Sequence, residues 1–270
     1  MQITPRAWKT VAVVAAAGLA LTACSSGSTD SSPEASASQP TTASGVPIFN
    51  EGELTVCSDI PYEPFEFTDE SGEIVGFDID IARAIAEDQG VELSIIDDSF
   101  EGIQSGLSLN KCDFSISSIS ITEERKQNMD FSDPYLEDDL TLIAAEGSGI
   151  TDLESAKDKR VGVQAGTTGE TYAQENGLSP QGFDDSGLQI QALKAGTVDA
   201  VLGNVSVLAY AVKDESGFER VADFETGEQL GISVKKGNTE MLEAVNSTLS
   251  RLEESGEMAE LEAKWFGEAE

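Results

Sequence analysis

The chain has 270 residues, 39% of them apolar, which is enough for one or two domains with cores of their own. Lys and Arg number 16 against 50 Asp and Glu, a net charge of −34, which argues against nucleic acid or an anionic lipid surface as a partner, since both call for a basic footprint. With no histidine and only three cysteines, a transition-metal site is not expected either.

The N-terminus differs from the rest. Arg6 and Lys9 precede an apolar run from Val11 to Leu21, and no acidic residue occurs before Asp30. This is a signal-peptide pattern over residues 1–23. The run is shorter than the roughly 20 apolar residues that a bilayer span needs, and no later run matches it. It ends in Leu21-Thr22-Ala23-Cys24, which resembles a lipobox, so Cys24 is the expected lipidation site. Residues 24–47 are mostly Ser, Thr, Ala, Gly and Pro, and are read as a disordered tether. Of the other cysteines, Cys57 and Cys112 can pair in an exported compartment, but sequence does not give their separation.

Beyond the tether, Leu54 to Cys57 reads as a strand. Gly76 to Gln89 reads as a helix with Phe77, Ile81 and Ile85 on one face, and Val91 to Ile96 as the next strand. A second helix carries Phe100, Ile103 and Leu107, and Cys112 to Ser117 is a third strand. A second alternating block starts near Arg160: a strand to Val163, a helix from Thr171 to Glu175, a helix from Leu188 to Ala195, a strand from Asp199 to Leu202, and a helix from Val205 to Lys213. Leu140 to Ala145 and Gln229 to Val234 read as strands joining the blocks, and Asn238 to Phe266 as two helices broken near Ser255-Gly256. Alternation of this kind predicts an α/β fold with largely parallel sheets.

Ligands of open α/β sheets bind at the carboxyl ends of strands, and those loops are polar and aromatic here. After the first strand, two prolines stiffen Ser58 to Phe67; Phe65 and Phe67 suit a core, while Asp59 and Tyr62 suit a ligand. After the third, Ser120 and Glu123 have capping-box spacing. Arg125, one turn on, can offer its planar fork to a carboxylate or pair on the surface with Glu123 or Glu124. The loop Gln164 to Gly169 leads into a helix, whose N-terminal amides favour an anion. Its glycine spacing fits neither nucleotide-binding motif, and no cofactor is expected.

The order of these stretches, with Gly76-Phe77-Asp78-Ile79-Asp80, Asp130 to Tyr135 and Lys264-Trp265-Phe266-Gly267, resembles the family 3 solute-binding proteins of bacterial polar amino-acid ABC importers over Leu54 to Gly267. The resemblance implies a periplasmic binding protein-like type II fold. Its lobe 1 would cover residues 48–139 and 231–270 and its lobe 2 residues 140–230, joined by two crossover hinge strands and closing on ligand. It also implies that Arg125 and the Thr168 backbone N–H hold an α-carboxylate with Ser118 and Ser120 beside it. Tyr62 and Phe100 would sandwich the carbon chain, and Asp59 and Gln164 would line the side-chain end, which suits a cationic or amide group. Where the family usually places an aspartate for the α-ammonium, Asn204 stands.

The implied protein is a monomeric lipoprotein outside the cytoplasm, serving a permease and ATPase and touching the membrane through its lipid alone. Two other roles fit the resemblance: a receptor that signals solute binding, and a catalyst similar to cyclohexadienyl dehydratases. With no histidine and no nucleophile beside a base, catalysis is not expected.

Overall fold

The computed structural model describes residues 39–267; the signal sequence and Cys24 lie outside them. In chain order the first elements are β1 (Glu53–Ser58), the hairpin β2 (Phe67–Thr68) and β3 (Ile74–Val75), α1 (Phe77–Asp88), β4 (Glu92–Asp97), α2 (Phe100–Gln104), β5 (Phe114–Ser115), β6 (Met129–Phe131) and β7 (Leu136–Glu137). Next come β8 (Leu140–Ala145), α3 (Leu153–Ala156), β9 (Val161–Gln164), α4 (Thr168–Glu175), β10 (Gln181–Phe183), α5 (Ser186–Lys194), β11 (Ala200–Asn204), α6 (Val205–Val212) and β12 (Phe218–Phe224). The chain returns through β13 (Gln229–Leu230) and β14 (Ser233–Lys235) to α7 (Thr239–Ser255) and α8 (Glu257–Phe266).

Two five-stranded sheets form two lobes. The first has the order β4-β1-β5-β14-β6 and the second β10-β9-β11-β8-β12. Each is mixed rather than wholly parallel: β14 runs antiparallel to β5 and β6, and β8 antiparallel to β11 and β12. β7 pairs antiparallel with β13 at the crossover, so this is a type II periplasmic binding-protein fold.

The joining strands are these two short ones. Leu140–Ala145, expected to join the blocks, instead lies inside the second sheet between β11 and β12. The reason is its composition: its first five residues are buried, and a mostly apolar strand needs partners on both edges and cover on both faces.

Lobe 1 packs α1, α7 and α8 on its sheet. Phe77, Ile81 and Ile85, spaced by four, are fully buried against Leu54, Val56, Phe114 and Val245, as the helical period requires. Gly76 starts α1 with φ +142°, and a Cβ there would run into the Phe65 carbonyl, so only glycine fits. Gly256, at φ 83°, separates α7 from α8. The expected second helix is shorter than read: α2 ends at Gln104, and Leu107 is 67% exposed because the chain turns at Gly106 (φ 80°) into a 3-10 turn.

Cys57 and Cys112 form a disulfide, with Cα atoms 5.8 Å apart, between the end of β1 and the approach to β5. Part of the stretch read as tether is packed. Thr42 and Val46 close a turn (2.9 Å), Ala43 N–H donates to the Gln89 carbonyl (3.2 Å), and Val46 packs against the lobe 1 core.

Candidate functional site

The carboxyl ends of β1 and β5 face those of β9 and β11 across the cleft, and polar side chains from the two lobes meet there. At one end Gln164 Nε2 donates to Asp59 Oδ2 (2.7 Å). In the middle the Tyr62 hydroxyl donates to Asn204 Oδ1 (3.0 Å), and Asn204 Nδ2 donates to the Asp138 carbonyl (3.1 Å). At the other end Arg125 Nη2 donates to the Gly166 carbonyl of lobe 2 (3.1 Å) and Nη1 to the Ser120 carbonyl of lobe 1 (2.9 Å). Ser120 and Thr168 both direct their hydroxyls at Glu228 Oε2, at 2.8 and 2.7 Å.

These contacts bring Asp59, Tyr62, Ser120, Arg125, Gln164, Thr168 and Asn204 together in one cleft. Phe100 lies beneath Arg125, whose guanidinium carbon is 5.4 Å from the ring centroid, a cation–π contact. Ser118 adopts a left-handed backbone (φ 46°), held because its N–H donates to Asp78 Oδ2 (2.7 Å). Arg125, Thr168, Gly166 and Glu228 line a cavity of about 300 Å³. Two expectations are corrected. Ser120 does not cap a helix: its hydroxyl goes to Glu228, and Arg125 N–H bonds Thr122 Oγ1 (3.2 Å) at the start of a three-residue 3-10 turn. Glu123 pairs with Lys126 instead of Arg125.

Local structure fixes these positions. Thr167 caps α4, its Oγ1 accepting from Glu170 N–H (3.2 Å), which fixes the start of the helix at Thr168. Beneath the lobe 1 loops, Glu66 and Asp78 form a fully buried acidic pair. Ser117 donates to Glu66 (2.5 Å) and accepts from Asp59 N–H (3.1 Å), while Tyr135 donates to Asp78 (3.0 Å).

Burial sets the electrostatics. It pushes Asp59 up to about 7 against the pull of Gln164, with Asp185 and Asp97 adding to the rise. Asp78 also rises to about 7 by burial, and Glu66 well above the usual carboxylate range by burial and the charge of Asp78, so the pair holds a proton between them. Asp138 rises to about 7 by burial although Ser206 donates to it twice. Burial lowers Arg125 to about 10, opposed chiefly by Glu228.

Glu66, Asp78 and Glu228 are not site candidates from sequence, and Asp138, whose run Glu137-Asp138-Asp139 reads as surface, is buried instead. Among 50 acidic residues nothing in their neighbours marks a carboxylate that the fold buries.

Residues 54–268 match the model of the bacterial extracellular solute-binding proteins, family 3. The chain belongs to that family. It is 34% identical over 216 residues to the arginine-binding periplasmic protein of Mannheimia haemolytica, spanning 76% of this chain and 88% of that protein. It is 29% identical over 221 residues to the L-cystine-binding protein TcyJ of Escherichia coli (strain K12), spanning 80% and 83%. Among solved structures, an ancestral arginine-binding protein bound to glutamine superposes with a TM-score of 0.76 at 40% identity, covering 81% of this chain and all of that one. Like these relatives, this family member is an extracytoplasmic solute-binding protein and not an enzyme.

Proposed function

We propose that the protein captures an amino acid with a cationic or amide side chain between its lobes and delivers it to an ABC permease and ATPase. The observation that carries this reading is the pairing of unlike chemistry at the two ends of one cleft. At one end stand a cation without a carboxylate partner within 4 Å among the described residues and the amides that open α4; at the other stand Asp59 and Gln164.

Arg125 is 5% exposed and its guanidinium donates, among the described residues, only to carbonyls, and a desolvated guanidinium gains most from a carboxylate. At the far end Gln164 Oε1 is buried without a hydrogen-bond partner among the described residues. Beside the Asp59 carboxyl it makes an acceptor-rich pocket for a guanidinium, imidazole or amide N–H. The names of the relatives, arginine-binding and cystine-binding, and the glutamine in the ancestral protein are in keeping with such solutes. The bonds between Asp59 and Gln164, Tyr62 and Asn204, and Ser186 Oγ and the Pro61 carbonyl (2.8 Å) act as latches of the closed form in this reading. The protein works as a monomer tethered through lipidated Cys24, and the Leu21-Thr22-Ala23-Cys24 sequence supports the anchor.

Titration calorimetry with L-arginine, L-histidine, L-glutamine and L-cystine tests the solute class. Arg125→Ala should weaken the bound solute by roughly 10²–10³, the cost of removing one partner of a buried ion pair, with an unchanged circular dichroism spectrum. Near-unchanged affinity would show that the carboxylate is held elsewhere.

A further inference from the structure

An amino acid brings a positive ammonium as well as a carboxylate, and Asn204 supplies no charge for it. The amide is also engaged at both ends, accepting from Tyr62 and donating to the Asp138 carbonyl. We propose that Glu228, on the crossover just before β13, is the counter-charge for the solute's ammonium. This inference rests on the amino-acid reading of the cleft.

Three observations carry it. The first is position: Asp138 N–H donates to the Glu228 carbonyl (3.2 Å), and the Asp138 carbonyl accepts from Asn204. Glu228 thus stands one backbone link from the uncharged amide, and it lines the same cavity as Arg125 and Thr168.

The second is what its carboxylate does to its neighbours. A hydroxyl has one proton, and both Ser120 and Thr168 donate theirs to Glu228 Oε2. Their lone pairs are then what remains to offer a solute. The carboxylate turns this rim of the cleft into a set of acceptors backed by negative charge, matched to N–H donors. Because Ser120 belongs to lobe 1 and Thr168 to lobe 2, the charge is fixed only where both lobes meet.

The third is the engagement of the other carboxyls. Asp138 accepts from the Ser206 N–H (3.1 Å) and Oγ (2.5 Å) at the start of α6, and Asp59 is bonded to Gln164 at the opposite end. Glu228 Oε1, by contrast, accepts among the described residues only a long bond from exposed Thr226 (3.3 Å).

The test compares wild type, Glu228→Gln and Glu228→Asp by titration calorimetry, with circular dichroism as the control for folding. The probes are L-arginine, L-glutamine and L-histidine, each beside its analogue lacking the α-amino group: 5-guanidinopentanoate, glutaramate and imidazolepropionate. Loss of a charged hydrogen bond predicts that Glu228→Gln weakens the bound amino acid about 10- to 100-fold. Its desamino analogue should shift less than about 3-fold, and Glu228→Asp should retain part of the difference. Equal loss for both members of a pair would make Glu228 merely structural, and tighter binding of both would make it a blocker of Arg125. Either result, or no change, overturns the inference while leaving the amino-acid reading intact. Failure of the wild type to bind any of the three amino acids overturns both.

Discussion

Asp59 shows how one side chain links solute choice to pH. Buried and held at about 7, it is part protonated in the solute-free protein at neutral pH. A cationic side chain beside it favours the ionised form and draws its pKa down, so a proton leaves on binding. Affinity for a cationic solute should therefore fall as pH drops below about 7, and calorimetry in buffers of different ionisation heat should detect proton release near neutrality. Asp59→Asn should abolish the release; its persistence in that variant would place the titrating group elsewhere. At this scale the segment around Arg125 leaves a carboxylate ligand and a surface ion pair equally open, and the resemblance to the family is what points to the cleft. Glu228 was not legible, because its significance lies in Ser120 and Thr168, distant in sequence and joined only by the fold.

Among the elements, the helices and strands with unbroken periodicity were legible. α1 shows its apolar face every fourth residue, and the glycine break between α7 and α8 is visible as Ser255-Gly256. β12 was missed because its register shifts between Arg220 and Ala222, and such a bulge destroys the alternation by which a strand is recognised. Of the crossover strands, β13 falls inside the stretch read from Gln229 to Val234, whereas β7 was missed because a two-residue strand carries no period at all. The pairing of Cys57 with Cys112 depends on β1 and β5 lying side by side, which spacing alone does not state. The bond closes a loop of 55 residues, for which chain entropy predicts up to about 4 kcal/mol. Replacing both cysteines with alanine should lower the unfolding free energy by about 2–4 kcal/mol in denaturant titrations; a loss below about 1 kcal/mol would mean the unfolded chain is already constrained there.

For the whole molecule, buried carboxyls reverse the usual effect of acid. Asp59, Asp78 and Asp138 are held at about 7 when folded and return to about 4 when unfolded. The folded state thus binds more protons, and the stability these groups contribute is fully present below about pH 4 and lost as pH rises through about 7. Asp199, held down at about 2 by Arg160, works in the opposite sense only below about pH 4. Relief of the −34 charge on acidification acts with the buried groups. The melting temperature of the solute-free protein should be higher near pH 5 than near pH 8; a lower value at pH 5 would contradict the burial of these acids.

The crossover has a consequence for how such a molecule can be rebuilt. The chain enters lobe 2 after Glu137 and leaves it before Gln229, and those two residues are paired neighbours. Lobe 2 is in effect a cassette whose two ends share a doorway. A different half-pocket spliced at that doorway keeps the path of the surrounding chain, so recognition of the solute's two ends can be exchanged one lobe at a time.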